Sequence, residues 1–171
     1  MITRENELLY ENLNEMVTVD IDQTCDKKYF IISANTYTTS DLYLYDYEEK
    51  EIKQFCKRIE NHKYSIEHHN GKFFILTNID NCQNFKVMIC DENDTRIDRW
   101  EKFIDYNKKI YNKDITVLRD YILIGQKING EDKILIIKCE NDYDKKYYLN
   151  FNKIQYKSKA KCTIHQNAAF F

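Results

Sequence analysis

Residues that could act as a nucleophile lack the neighbours that such chemistry requires. A serine hydrolase of the α/β type holds its nucleophile in Gly-x-Ser-x-Gly, because the tight turn that exposes the serine tolerates only small neighbours. The chain has four serines, and none is flanked by glycine: Ser33, Ser40, Ser65 and Ser158. No cysteine stands in an electropositive stretch that would favour its thiolate. The sequence therefore assigns no catalytic residue.

The histidines are the next candidates, as metal ligands. Three of the four lie near Cys82 and Cys90 in the sequence; the set is His62, His68, His69 and His165. Structural zinc sites use closely spaced ligand pairs, whereas these cysteines are eight positions apart. The pair His68-His69 directly precedes the turn signal Asn70-Gly71, so we expect a solvated hairpin end there. No metal and no cofactor is expected.

The acidic run at residues 91–98 resembles a calcium-binding loop only superficially. Such a loop has glycine at its sixth position and closes with glutamate, and this run has neither. Charged side chains without a ligand to bind are most stable in water. The run therefore predicts a solvated surface loop.

Six cysteines are spread along the chain without a C-x-x-C pair: Cys25, Cys56, Cys82, Cys90, Cys139 and Cys162. In a small secreted protein an even number would suggest disulfides. This chain is larger, and its first residues lack the charged-then-apolar pattern of a secretion signal. We expect reduced, buried thiols that act as small hydrophobes, and the cytoplasm as the location.

Composition indicates one globular domain rather than a basic or membrane-bound protein. The 171 residues carry 26 basic and 28 acidic side chains, a net charge of −2, so no partner nucleic acid or membrane is expected. Hydrophobic residues make up 43% of the chain, too many for disorder. Proline is absent and glycine occurs three times. Asn and Asp must therefore supply the left-handed backbone of the turns.

One pattern occurs three times, and it predicts the strands on which these side chains lie. Each copy is an apolar run, a polar loop and a second apolar run: 29–34 with 42–45, 73–76 with 85–89, and 121–124 with 134–137. The copies start 44 and 48 residues apart. Short strands with this period are typical of β-propeller blades. We predict an all-β partial propeller of about three consecutive four-stranded antiparallel blades.

The inner and outer strands follow from the same pattern. First strands are expected at 17–21, 64–67 and 115–118, and fourth, outer strands at 52–59, 100–106 and 147–154. A helix over 100–109 is the alternative for the second outer strand, since Trp100, Phe103 and Ile104 would share a face. Beyond residue 156 no strand period continues. The predicted domain therefore covers residues 1–156, with 157–171 as an unmatched tail.

Several segments, in order and spacing, resemble the propeller of the prolyl oligopeptidase family of serine peptidases, and within it the oligopeptidase B branch. They are residues 7–15, 28–42, 69–79, 84–87 and 100–104. The most specific part is Phe-Phe-Ile-Leu-Thr-Asn at 73–78 with the Asn-Phe and Trp that follow. The resemblance covers residues 7–156 and corresponds to middle-to-late blades.

The resemblance implies a gating and scaffold role rather than catalysis. In that family the propeller covers the active site of an α/β-hydrolase domain and admits only short peptides, and oligopeptidase B cleaves after Arg and Lys. The family triad has no counterpart in this sequence, so this chain alone is expected to be inactive. The start inside the propeller and the unmatched tail suggest a split or decaying gene.

Three kinds of partner follow from an open arc of blades. Apolar blade faces and unpaired strand edges predict self-association. A separately encoded hydrolase fragment would give a split peptidase, with short peptides as ligands only in the intact enzyme. The alternative function is that of a stand-alone interaction module, whose exposed blade faces or edges bind a partner.

Overall fold

The computed structural model describes residues 8–140 and 143–149. It contains three four-stranded antiparallel sheets, each built from four strands consecutive in the sequence. We call them blade 1, blade 2 and blade 3. Blade 1 comprises β1 Thr18–Gln23, β2 Tyr29–Asn35, β3 Ser40–Asp46 and β4 Glu51–Gln54. Blade 2 comprises β5 Tyr64–His69, β6 Lys72–Thr77, β7 Lys86–Asp91 and β8 Glu101–Ile104. Blade 3 comprises β9 Ile110–Val117, β10 Tyr121–Ile128, β11 Glu131–Lys138 and β12 Lys146–Leu149. The predicted partial propeller is thereby confirmed.

Asparagine and glycine set the two tightest hairpins. Asn70 and Gly71 have φ angles of 49° and 74° between β5 and β6, and Asn129 and Gly130 have 52° and 84° between β10 and β11. Two consecutive positive φ angles form the turn whose twist matches that of the strands it joins. His69 consequently pairs with Lys72, which fixes the register of the whole hairpin.

Strand β6 lies at the centre of the fold because both of its faces are buried. Its side chains alternate, so Phe73 and Ile75 enter the core shared with blade 1. Phe74 and Leu76 enter the core shared with blade 3. All four are at most 4% exposed. Blade 2 is therefore packed between its neighbours.

Each seam between blades has an apolar core and a polar edge. Phe55, Tyr64 and Trp100 fill part of the first seam, with ring centroids 6.0–6.1 Å apart. In the second seam Asn112 Nδ2 donates to the carbonyl oxygen of Phe85 at 2.8 Å, and Gln126 Nε2 donates to Asn112 Oδ1 at 2.8 Å. Asn112 and Gln126 are 1% and 2% exposed. The Asn112 bond to Phe85 therefore joins blade 3 to blade 2 inside the protein, and Gln126 of blade 3 orients the Asn112 side chain.

The first two outer strands are shorter than the sequence predicts. The first ends at Gln54 rather than at residue 59, because Phe55 and Cys56 turn into the seam core. The helical alternative near Trp100 is wrong: Ile97–Arg99 forms one 3-10 turn, and Glu101–Ile104 pairs with β7. Strand β12 ends at Leu149 within the described residues. Residues 150–154 of the third predicted outer strand, and the tail at 157–171, lie outside them.

No helix among the described residues is both long and apolar enough to cross a membrane.

Replacing Phe73 by alanine should destabilise the chain by about 3–5 kcal/mol, because the ring is fully buried and packs on Tyr29 and Phe55. Urea unfolding followed by the fluorescence of Trp100, the single tryptophan, measures this change. Tyr37→Ala is the control, since that residue is 94% exposed and should shift the free energy of unfolding by less than about 0.5 kcal/mol. Equal midpoints for both variants would contradict the assignment of β6 to the core.

Candidate functional site

The side chains singled out by the sequence do not converge on one catalytic centre. Within residues 8–140 and 143–149, no group of three or more His, Cys, Asp and Glu side chains has the geometry to hold a metal ion. Ser40 lies at the start of β3, Ser33 in β2 and Ser65 in β5, whereas Ser158 lies outside the described residues. That the chain contributes no catalytic residue stays a prediction.

His62 is a core histidine of the first seam. Its ring stacks on Tyr64 with a centroid distance of 4.7 Å, and Nε2 lies 2.8 Å from the Thr77 hydroxyl. Burial lowers the pKa of His62 to about 4, because water no longer solvates the charged form. The ring is therefore neutral at physiological pH.

The expectation of a solvated end for His68 and His69 is wrong. The two residues are 2% and 7% exposed. His68 Nδ1 lies 2.5 Å from Asp26 Oδ2, which belongs to the β1–β2 turn of blade 1. His68 Nε2 lies 2.9 Å from Glu92 Oε2, close enough for an ion pair although no aligned hydrogen bond forms. His68 thus lies between two carboxylates in the seam of blades 1 and 2.

The sequence predicts a solvated loop over residues 91–98, but the Glu92 side chain is bonded to blade 1 and only 20% exposed. Its Oε2 accepts hydrogen bonds from Lys28 Nζ at 2.5 Å and from the Tyr29 hydroxyl at 3.1 Å, both in blade 1. The Lys28 bond lowers the pKa of Glu92 and, in turn, raises the pKa of Lys28. We call Asp26, Lys28, Tyr29, His68 and Glu92 the charged bridge. It joins two blades at one end of their sheets.

The carboxyl group of Asp26 is ionised within this bridge. Burial acts to raise its pKa, but hydrogen bonds from Thr24, His68 and the Lys28 backbone together lower it. The Thr24 hydroxyl donates to Asp26 Oδ1 at 2.7 Å, and the Lys28 backbone N–H donates to the same oxygen at 3.1 Å. The turn therefore holds a negative charge against the imidazole.

Glu67 lies beside the charged bridge and behaves in the opposite way. Burial raises its pKa to about 7, and the carboxylates of Asp22 and Asp26 add to the rise. The backbone N–H of Cys25, 3.5 Å from Glu67 Oε2, partly opposes it. Glu67 is thus a carboxyl group that gains a proton near neutral pH.

Three of the cysteines fit the expected role of small hydrophobes. Cys56, Cys82 and Cys90 are buried, and burial raises the pKa of Cys90 to about 12. A thiol with a raised pKa has little thiolate at neutral pH and is a poor nucleophile. Cys25 and Cys139 are half-buried, and Cys162 lies outside the described residues.

Two blade faces are left without a covering sheet among the described residues. The outer face of blade 3 points away from blade 2 and carries an apolar stripe: Tyr121, Leu123, Ile134, Ile136, Tyr147 and Leu149. Tyr147 is 53% and Leu149 43% exposed. A recess at Gly125 is roofed by Asp114, whose carboxylate lies where a Cβ would project. A larger residue there would displace the Asp114 side chain.

The outer face of blade 1 is partly covered by the chain itself. Tyr10 packs on Tyr43 with ring centroids 4.9 Å apart. Ile32 is buried on this face, whereas Val19 and Ile21 of β1 remain 46% and 62% exposed. The two outer faces together are the part of the described fold best suited to bind another sheet.

Sequence reasoning missed Asp26, Glu67 and Glu92, and it misplaced His68. One signal was available: Tyr64, Ile66 and His68 alternate along β5, so the pleat that buries the first two also buries the third. The partners could not be found in this way, because Asp26 lies 42 residues from His68 and in another blade.

Comparison with known proteins agrees with this architecture. The family model described as prolyl oligopeptidase, N-terminal β-propeller domain, matches residues 3–166. The chain therefore belongs to this propeller family of the prolyl oligopeptidases. Protease 2 of Moraxella lacunata is 25% identical over 134 residues, covering 77% of this chain and 19% of that protein. The prolyl endopeptidase-like protein of Gallus gallus is 27% identical over 119 residues, covering 68% and 16%.

Solved structures show the same fold. Oligopeptidase B from Trypanosoma brucei superposes with a TM-score of 0.79 at 21% identity, over 85% of this chain and 22% of that one. Oligopeptidase B from Leishmania major gives 0.74 at 19% identity, over 79% and 19%. The resemblance to this family is confirmed. The chain spans about a fifth of the length of the curated relatives it matches.

Replacing Glu67 by glutamine should stabilise the chain at pH 8 by about 1–3 kcal/mol. The carboxyl group has a pKa of about 7 when folded and 4.5 as the reference value, so the folded state loses stability as pH rises from 4.5 to 7. Glutamine cannot ionise and escapes this loss. Urea unfolding of both chains at pH 4 and pH 8 measures the difference.

At pH 4 the Glu67→Gln variant should have the same free energy of unfolding as the parent chain, since the Glu67 carboxyl group is then neutral. Glu101→Gln, on the exposed surface of β8, is the matched control and should change stability by less than about 0.5 kcal/mol at either pH. An unchanged stability of the Glu67 variant at pH 8 would show that this carboxyl group is solvated.

Proposed function

We propose that this chain is a scaffold part of the propeller that screens the active site of a serine oligopeptidase. It would act by limiting access to short peptides, while the catalytic groups belong to a separate hydrolase part. The observation that carries this proposal is the family fold itself: three consecutive blades of a prolyl oligopeptidase propeller, with open apolar outer faces.

The physical properties of the blades suit a rigid wall. Both seams are filled by large apolar side chains, and polar bonds between blades fix the position of one blade against the next. A wall of this kind excludes folded proteins by size, whereas a short extended peptide can pass through a narrow opening. Cleavage after Arg and Lys is the activity we propose for the intact enzyme, by similarity to oligopeptidase B.

We also propose the cytoplasm as the location. The reduced state of the buried cysteines Cys56, Cys82 and Cys90 supports it, because thiols persist in a reducing compartment.

The purified chain should not hydrolyse a fluorogenic peptide ending in Arg-Arg. Addition of a cell lysate depleted of other oligopeptidases tests the split-enzyme form: cleavage that depends on the chain would indicate a separately encoded hydrolase part. The Ile136→Lys variant is the control in the lysate, since a charge on the outer face of blade 3 should prevent such a complex. Hydrolysis by the chain alone would overturn the scaffold proposal.

An interaction module is the second candidate, favoured by the apolar stripe on blade 3. Six apolar side chains on one sheet face lose contact with water when another sheet packs on them, and about 25 cal/mol is gained per Å² of apolar surface covered. If no peptide is hydrolysed in either assay and the chain associates, the interaction module is favoured over the split enzyme.

The chain should self-associate at tens of micromolar through its outer faces. Ile136→Lys places a charge in the centre of the blade 3 stripe and should yield a monomer, because burying an unpaired ammonium is costly. Tyr37→Lys introduces the same charge in the exposed β2–β3 turn and should associate like the parent. Sedimentation velocity distinguishes these results, and a parent chain that stays monomeric would contradict the expectation.

A further inference from the structure

Strand β1 leaves one edge of blade 1 open to solvent. It lies at the end of its sheet and, among the described strands, it pairs with β2 alone. All six of its residues are exposed. An exposed edge strand presents unpaired N–H and C=O groups on which a strand of another chain can pair. The β-branched residues Val19 and Ile21, 46% and 62% exposed, favour such pairing.

The backbone N–H groups of β1 point alternately toward β2 and toward the open edge. At the closed end of the β1–β2 hairpin, the Thr24 N–H donates to the carbonyl oxygen of Tyr29 at 3.0 Å. In an antiparallel pair every second residue of a strand makes such bonds, so the even-numbered residues of β1 also direct their N–H groups to β2. The N–H groups of Val19, Ile21 and Gln23 therefore point to the open edge.

Aspartate side chains occupy two of these three edge donors. The Ile21 N–H donates to Asp20 Oδ1 at 2.9 Å, and the Gln23 N–H donates to Asp22 Oδ1 at 2.8 Å. Each carboxylate belongs to the residue directly before the donor, and it takes the place that a carbonyl oxygen of an added strand would need. A hydrogen bond to a carboxylate is among the stronger ones in proteins. Any strand that adds to this edge must therefore displace both carboxylates.

The strand that fits this edge is β1 of a second copy. Two β1 strands paired antiparallel about Ile21 bring the edge N–H groups of each copy opposite the edge carbonyl groups of the other, with Val19 facing Gln23 of the second copy. This contact is the same for both copies and ends with two molecules. The same register places Asp20 of each copy opposite Asp22 of the other. Like charges directly opposite each other destabilise a strand pair.

We propose that the open edge of β1 is a pairing site for a second copy of this chain, kept closed by Asp20 and Asp22. The two carboxylates act in two ways: they occupy the edge donors, and they repel each other in the paired dimer. Association of the parent chain is consequently left to the outer faces of the blades. The inference is independent of the function proposed above, because it concerns the edge of blade 1 alone.

Asp20→Ala combined with Asp22→Ala removes both acceptors and both charges, and it tests the proposal. The full chain carrying Ile136→Lys is the background, since the lysine opposes association through the outer face of blade 3. In sedimentation velocity at tens of micromolar, the mass of the alanine variant should double relative to this background. Glu48→Ala with Glu49→Ala is the matched control: it makes the same change in net charge on exposed residues of the β3–β4 turn and should leave the mass unchanged.

Adding Ile21→Pro to the alanine variant should return the chain to the mass of the background. Proline removes the central edge donor, whereas the bonds from β1 to β2 do not use the Ile21 N–H, so the sheet of blade 1 is kept. If the alanine variant does not fold, Asp20→Thr with Asp22→Thr takes its place, since threonine favours strands and carries no charge. A variant that keeps the background mass, or a dimer that persists with Ile21→Pro, overturns the proposal.

Discussion

The structure depends on one constraint: a propeller blade has two apolar faces, and both must be covered. Strand β6 satisfies it completely, because Phe73 and Ile75 face one seam while Phe74 and Leu76 face the other. Blade 2 therefore needs both neighbours. Blades 1 and 3 each have one neighbour within the described residues, so each leaves a face on which another sheet can pack. Architecture and interaction capacity thus have the same physical origin.

Much of this fold could be predicted from the sequence, because its determinants are local. Asn70-Gly71 and Asn129-Gly130 specify tight hairpins through their positive φ angles, and the repeat of apolar runs gives the number of blades. The ends of the outer strands could not be predicted, since Phe55 leaves the sheet to fill a gap beside Tyr64 and Trp100. That gap exists only after two blades have packed together.

The charged bridge shows why the polar sites were harder to predict. Strand alternation places His68 on the buried face of β5, but the adjacent turn signal favours solvent, and only the packed structure decides between them. Its burial is tolerable because carboxylate oxygens of Asp26 and Glu92 lie within 3 Å of its two ring nitrogens. A pairing between residues 42 positions apart leaves no periodic pattern in one sequence.

The two seams solve the same packing problem with different polar chemistry. Apolar contacts hold blades together without fixing their relative position, because dispersion and hydrophobic burial have little directionality. Directional bonds supply the position: the Asn112 amide between blades 2 and 3, and the Lys28–Glu92 ion pair between blades 1 and 2. Amides carry no charge, whereas the charged bridge places charged carboxylates and an ammonium beside a nearly buried ring. The seam beside blade 1 is therefore the one of the two in which loss of a single partner would leave a charge unpaired.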